Sequence, residues 1–81
     1  MTNLEKYKKT YTESLSLSLD YEVEDLEYNA IPEWDSIGHM TLVSAIEDEF
    51  DISMETDDII ELSSFKKGIE ILTKYKVEIK I

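Results

Sequence analysis

The stretch "EWDSIGHMTLVSAIEDEF", residues 33–50, decides how the chain is read. An Asp at Asp35, followed by apolar residues at steps of three and four, marks a helix start. The Asp side chain can accept a hydrogen bond from a free backbone N–H of the first turn, which makes Ser36 the first helical residue. Leu42, Ala45, Ile46 and Phe50 form the inward stripe, with Val43 beside it. Glu47, Asp48 and Glu49 crowd the far end, where the helix dipole disfavours negative charge. Local stability gives no reason for three acids there, whereas a partner surface would.

Working outward, residues 3–16 place Leu4, Tyr7, Tyr11 and Leu15 on one helical face, with Lys8, Lys9, Thr12 and Glu13 largely on others. Residues 17–34, "LSLDYEVEDLEYNAIPEW", lose that rhythm and contain the single proline, Pro32. So long a connection in a small domain is functional or internally packed. Leu19, Val23, Leu26, Ile31 and Trp34 are expected to pin it onto the helices.

On the other side a short helix is predicted at 57–62, with Thr56 as N-cap and Asp57 and Asp58 in its first turn. A fourth, 65–76, follows Ser64 and turns Phe65, Ile69, Leu72 and Tyr75 inward. Its Gly68 costs up to about 1 kcal/mol relative to alanine, which close packing against a neighbour would offset. The tail "VEIKI" alternates like a strand but finds no second strand, and reads as a helix extension or a frayed end. The whole is an all-α pattern of three longer helices and one short one: a single domain over 1–76 with a tail over 77–81.

Composition narrows the chemistry. A chain of 81 residues is one small domain with a modest core. It has no cysteine and one histidine, His39, so neither a disulfide framework nor a zinc site supports it. The net charge is −11; all eight cations are lysines, and none lies between Thr10 and Phe65. Sixteen of the nineteen acids do lie there. Such a field repels nucleic acid and anionic membranes and steers basic protein surfaces toward this one. A solvated acidic surface kept for solubility is the plain alternative. The N-terminal "MTNLEKYKKTYTES" lacks the apolar core of a signal peptide, and no run approaches the roughly 18 apolar residues of a membrane span. The expectation is a soluble, cytoplasmic monomer.

Several chemistries fail on spacing. Asp35, Ser36 and His39 crowd one helical turn, where a base seldom aligns with the hydroxyl, and no glycine-rich oxyanion loop is present. "DEFDISMETDDIIE" lacks the alternating acids and central glycine of a calcium loop. Two glycines, Gly38 and Gly68, cannot build a phosphate cradle. No catalytic residues and no metal ligands are therefore assigned. What remains is a serine at a helix start, where exposed N–H groups and the dipole favour a phosphate ester. Serine is also an ordinary first-turn residue, so this motif alone leaves both readings open.

The set of motifs resembles the acyl and peptidyl carrier protein family. "DSIGHMTLVSAIEDEFDISM", residues 35–54, is similar to the family's Asp-Ser-Leu/Ile attachment site, its second helix and the acidic-acidic-Phe ending. "TDDIIELSSFKKGIEIL", residues 56–72, is similar to the third helix, its serine/threonine junction and the fourth helix. "YTESLSL", residues 11–17, looks like the end of the first helix, so the likeness runs through nearly the whole chain in order.

The resemblance implies a four-helix carrier bundle that is not itself an enzyme. It implies that a phosphopantetheinyl transferase attaches 4′-phosphopantetheine from coenzyme A to Ser36, and that the arm's thiol carries an acyl group as a thioester. An aminoacyl or peptidyl cargo for a ligase or nonribosomal-type pathway is the alternative, and an unmodified acidic helical adaptor the reading outside the family. Loading ligases and downstream enzymes with basic surfaces would dock on Asp35, Glu47, Asp48, Asp57 and Glu61, with Ile37, Met40 and Val43 as apolar contacts.

The chain departs from the family at "IPEW", where many relatives have Leu-Gly-x, and at Gly38, His39 and Thr41, where fatty-acid carriers often have acids. These departures point to a specialised stand-alone carrier. His39, one turn from Ser36, is expected to be a plain exposed histidine, the alternative being a contact with the phosphodiester or a partner.

Overall fold

Capping side chains start all three long helices. In the computed structural model, which describes residues 2–80, these are α1 (Asn3–Ser14), α2 (Ser36–Phe50) and, after the short α3 (Thr56–Glu61), α4 (Phe65–Lys74). Thr2 opens α1 with a reciprocal box: its hydroxyl accepts from the Glu5 N–H at 3.1 Å, and its own N–H donates to the Glu5 carboxylate at 3.2 Å. That second bond holds the Glu5 carboxyl below its ordinary range. Asp35 caps α2 through Gly38 N–H at 2.8 Å, and Ser64 caps α4 through Lys67 N–H at 3.0 Å. The exception is α3. It starts one residue earlier than predicted, at Thr56, and its N-cap Glu55 makes no side-chain cap bond.

The long helices also stop alike. Ser16, Asp51 and Lys76 take left-handed backbone, with φ of 57°, 52° and 65°. The next residue then donates back across the last turn: Leu17 to Thr12 O at 2.8 Å, Ile52 to Glu47 O at 3.1 Å and Val77 to Leu72 O at 3.1 Å. These stops end α1 and α4 two residues before the predicted limits of 16 and 76.

Packing begins where α1 lies on α2. Tyr7, Tyr11 and Leu15 meet Trp34, Leu42, Val43 and Ile46, and α4 adds Phe65, Ile71 and Leu72 to the same core. Of the predicted stripes, Leu4, Ala45, Phe50, Ile69 and Tyr75 are half-buried, while Ile71, outside the predicted stripe, fills the interior. Thr12 is buried as well, its hydroxyl donating to Lys9 O at 3.1 Å.

The long connection is packed through Val23, Leu26 and Trp34, with Ile31 partly buried, but Leu19 is 87% exposed and pins nothing. Backbone bonds staple it near the start of α4, from Phe65 N–H to Leu26 O at 3.0 Å and from Tyr28 N–H to Ser63 O at 2.8 Å. Ion pairs from Lys8 to Glu24 and from Lys66 to Asp25 flank that seam.

The tail is neither helix nor frayed end. After the left-handed turn at Lys76 it folds back over the start of α1, burying Ile79 and accepting a hydrogen bond from Asn3 Nδ2 at Glu78 O, 3.1 Å. Ile81, the last residue of the predicted tail, lies outside the described residues. Four helices and no strands form among the described residues, with an isolated bridge between Glu27 and Ser64. The radius of gyration is 11.3 Å, against about 12 Å for a compact chain of this length. No helix among the described residues is long and apolar enough to cross a membrane.

Candidate functional site at the start of the second helix

Ser36 is exposed at the first position of α2. The chain reaches it through a closed turn: Trp34 N–H donates to Ile31 O at 3.1 Å, and Asn29 N–H donates to Trp34 O at 3.0 Å. Asn29 is left-handed, φ 67°, and Trp34 is fully buried, so the turn is anchored two residues before the serine. Gly38 lets it come this close. A Cβ there would run into the Glu33 carbonyl and stand 3.3 Å from Leu15 Cδ2. The glycine that departs from the resembled family thus has a steric cause.

The Asp35 carboxylate takes the Gly38 N–H, and the His39 N–H donates to Asp35 O at 2.8 Å. The amides of Ser36 and Ile37 have no hydrogen-bond partner among the described residues. They supply the polarised N–H groups that favour an ester phosphate at Ser36. No side chain is hydrogen-bonded to the Ser36 hydroxyl to serve as a base, again among the described residues.

Beside the serine runs an open groove of about 340 Å³, lined by Tyr28, Ser36, His39, Met40, Ile59, Ile60 and Leu62. Its walls are mostly apolar, and Met40 and Ile60 stand 53% and 73% exposed. His39 differs from the expected exposed side chain: it is half-buried, accepting from Trp34 Nε1–H at 3.0 Å and bonded to Ile59 O at 2.8 Å. Among the described residues no group of three or more His, Cys, Asp or Glu side chains is placed to hold a metal ion.

Of the other docking residues, Asp35 and Ile37 flank Ser36 on the side away from the groove, against Ser14, Ser16, Glu33 and Thr41. Ile37 is 78% exposed. Asp57 and Glu61 are exposed on α3, and Asp48 is exposed on α2 about 18 Å along the axis from Ser36. One assignment needs correction, and one of the acids gains a second role. Val43 is 2% exposed and belongs to the core, so it offers no partner contact. Glu47 has a local use after all: its carboxylate accepts from Met54 N–H at 2.8 Å and ties down the turn after α2.

Sequence reading missed Tyr28, Ile59 and Ile60. The pair Ile59-Ile60 carried a usable signal, since neighbours on a helix point about 100° apart and α3 is six residues long, and it is Ile60 that stays exposed. Tyr28 carried none. No protein-family model, curated protein or solved structure matches the chain.

Proposed function

We propose that this chain is a carrier domain of the acyl or peptidyl carrier type, with Ser36 as the attachment point of 4′-phosphopantetheine. The observation that carries the reading is the setting of Ser36: exposed, first in α2, beside uncommitted amides and an apolar groove. A hydroxyl so placed needs no base of its own when a separate transferase supplies one. Ser36 Oγ would attack the pantetheine-side phosphorus of coenzyme A, the pyrophosphate bond would break, 3′,5′-ADP would leave, and the serine proton would pass to the transferase. The residues present fit the group: the Ser36 and Ile37 amides would hold its phosphate, and Tyr28, Met40, Ile59 and Ile60 would offer apolar contact along the groove. Once attached, the arm supplies the thiol that the cysteine-free chain lacks.

Docking of basic client enzymes would use the apolar tips Ile37, Met40 and Ile60 among the acids Asp35, Asp48, Asp57 and Glu61. Exposed charge pairs contribute about 0–1 kcal/mol each, so such encounters are fast, weak and salt-sensitive. An acyl cargo is the first expectation and an aminoacyl or peptidyl one the alternative.

The test is direct. The apo protein is incubated with coenzyme A, Mg²⁺ and a broad-specificity phosphopantetheinyl transferase, then weighed. A gain of one phosphopantetheine, absent in a folded Ser36→Ala variant, is the expected result. No gain while a control carrier is modified would leave the acidic, apolar-tipped surface of α2 and α3 as that of an unmodified adaptor.

A further inference from the structure

Trp34 is the chain's single tryptophan, and an indole N–H can only donate. Because it donates to Nδ1 of His39, that nitrogen carries a lone pair and the ring hydrogen sits on Nε2, where it is donated to Ile59 O. One neutral imidazole thereby joins the end of the long connection, the first turn of α2 and the middle of α3. The Trp34 and His39 rings lie 16° from parallel at 6.3 Å, and Tyr28 meets the imidazole edge-on at 5.5 Å.

Little else fixes α3 on this side. It is six residues long and lacks a side-chain cap; beyond the packing of Ile59 and Leu62 on the core, its remaining side-chain hydrogen bonds come from the end of α4: Lys74 and Tyr75 on Asp58, and the Tyr75 hydroxyl on Glu55 N–H.

We infer that His39 is a proton-sensitive latch that holds Trp34 when neutral and releases it when protonated, moving the wall of the groove beside Ser36. A proton taken up at Nδ1 turns the acceptor into a donor facing the Trp34 N–H, so that bond breaks while Nε2–H still donates to Ile59. Two donors cannot share the 3.0 Å gap, and one ring must shift.

The ionisable groups on the packed elements are Asp20, Tyr21, Glu22, Glu24, Asp25, Glu27, Tyr28 and Glu33 on the connection, Asp35, Glu47, Asp48 and Glu49 at or on α2, and Glu55, Asp57, Asp58 and Glu61 at or on α3. The Asp35 carboxylate is engaged by Gly38 and that of Asp58 by Lys74 and Tyr75. None forms an ion pair with His39 among the described residues. The latch does not depend on modification of Ser36.

Nitrogen-15 NMR of the unmodified protein tests it. At neutral pH the His39 ring nitrogens should report the Nε2–H tautomer, and the Trp34 indole N–H should be protected from exchange. As the imidazole C–H signals titrate, the indole signal should shift and lose its protection over the same pH interval. His39→Asn keeps an acceptor for Trp34 and cannot be protonated, so its indole should stay protected throughout. His39→Phe removes both bonds. At neutral pH it should speed exchange of the α3 amides roughly fivefold, the factor for one hydrogen bond of about 1 kcal/mol, and leave those of α1 and α4 unchanged. An Nδ1–H tautomer, an indole indifferent to ring titration, or a His39→Asn protein that titrates like wild type would overturn the proposal. Should His39→Phe fail to fold, the wild-type and His39→Asn titrations decide alone.

Discussion

Gly68 sits in the middle of α4, where alanine would be the better helix former. The Tyr7 hydroxyl occupies the place a Cβ would take, and Leu62 Cδ1 would stand at 2.9 Å from it. That hydroxyl is committed: it donates to Phe65 O at 2.7 Å, so the Tyr11 hydroxyl donates to it in turn at 2.8 Å. Burial pushes both phenols up, out of reach of ionisation at any ordinary pH. Gly68→Ala should therefore destabilise the protein by about 1–3 kcal/mol, the usual cost of overpacking, in spite of its helical preference. Tyr7→Phe alone should lose about 1 kcal/mol with the Phe65 bond. Combined, the two should cost less than their sum, because removing the hydroxyl opens space for the new methyl. Urea unfolding of all four proteins reads this coupling, and strict additivity would mean that the close approach has another cause. At this scale the sequence announced that Gly68 needed a close neighbour and could not name Tyr7, which lies far away in the chain.

The starts of α2 and α4 were legible and the helix stops were not, and the difference is chemical. Asp35 and Ser64 cap with side chains that advertise the role, and both stand where the sequence placed them. The stops use Ser16, Asp51 and Lys76 in left-handed backbone, where glycine is the usual signal, so nothing in the residue types marked them. The left-handed conformation costs an ordinary residue roughly 1–2 kcal/mol, and glycine returns part of that gain as lost chain entropy. Ser16→Gly and Lys76→Gly should each stabilise by about 0.5–1 kcal/mol in urea unfolding, without loss of helical circular dichroism.

The third helix makes a separate prediction. Asp58 is buried, and the hydrogen bonds from Lys74 and then Tyr75 hold its carboxyl below the ordinary value of 3.8. A depressed carboxylate stabilises the fold above its unfolded value and loses that contribution as pH falls through the folded one. The same contacts raise Lys74 and Tyr75, whose share is present below their ordinary values and lost as pH climbs through the raised ones. The stability difference between wild type and Asp58→Asn should thus be largest near neutrality and shrink below about pH 4. Melting temperatures of both proteins across that range give the check.

At the scale of the whole molecule, charge acts over distances comparable with the fold itself. The extents are 30 × 28 × 19 Å, and the net charge is −11. At about 0.01 M salt the screening length is roughly 30 Å, so every acid repels every other; at about 0.1 M it is roughly 10 Å, and only neighbours interact. The ion pairs do little to relieve this, since Lys66–Asp25 and Lys80–Glu78 are largely exposed. Unfolding spreads the charges apart, so added salt should raise the melting temperature, most steeply in the first 0.1 M. The same screening should slow association with a basic partner, because steering depends on the field that salt removes. A scan in sodium chloride should therefore show folding stability and on-rate moving in opposite directions. A melting temperature that fell with salt would mean that attraction within the fold, through pairs such as Lys74–Asp58 and Lys8–Glu24, outweighs repulsion among the unpaired acids.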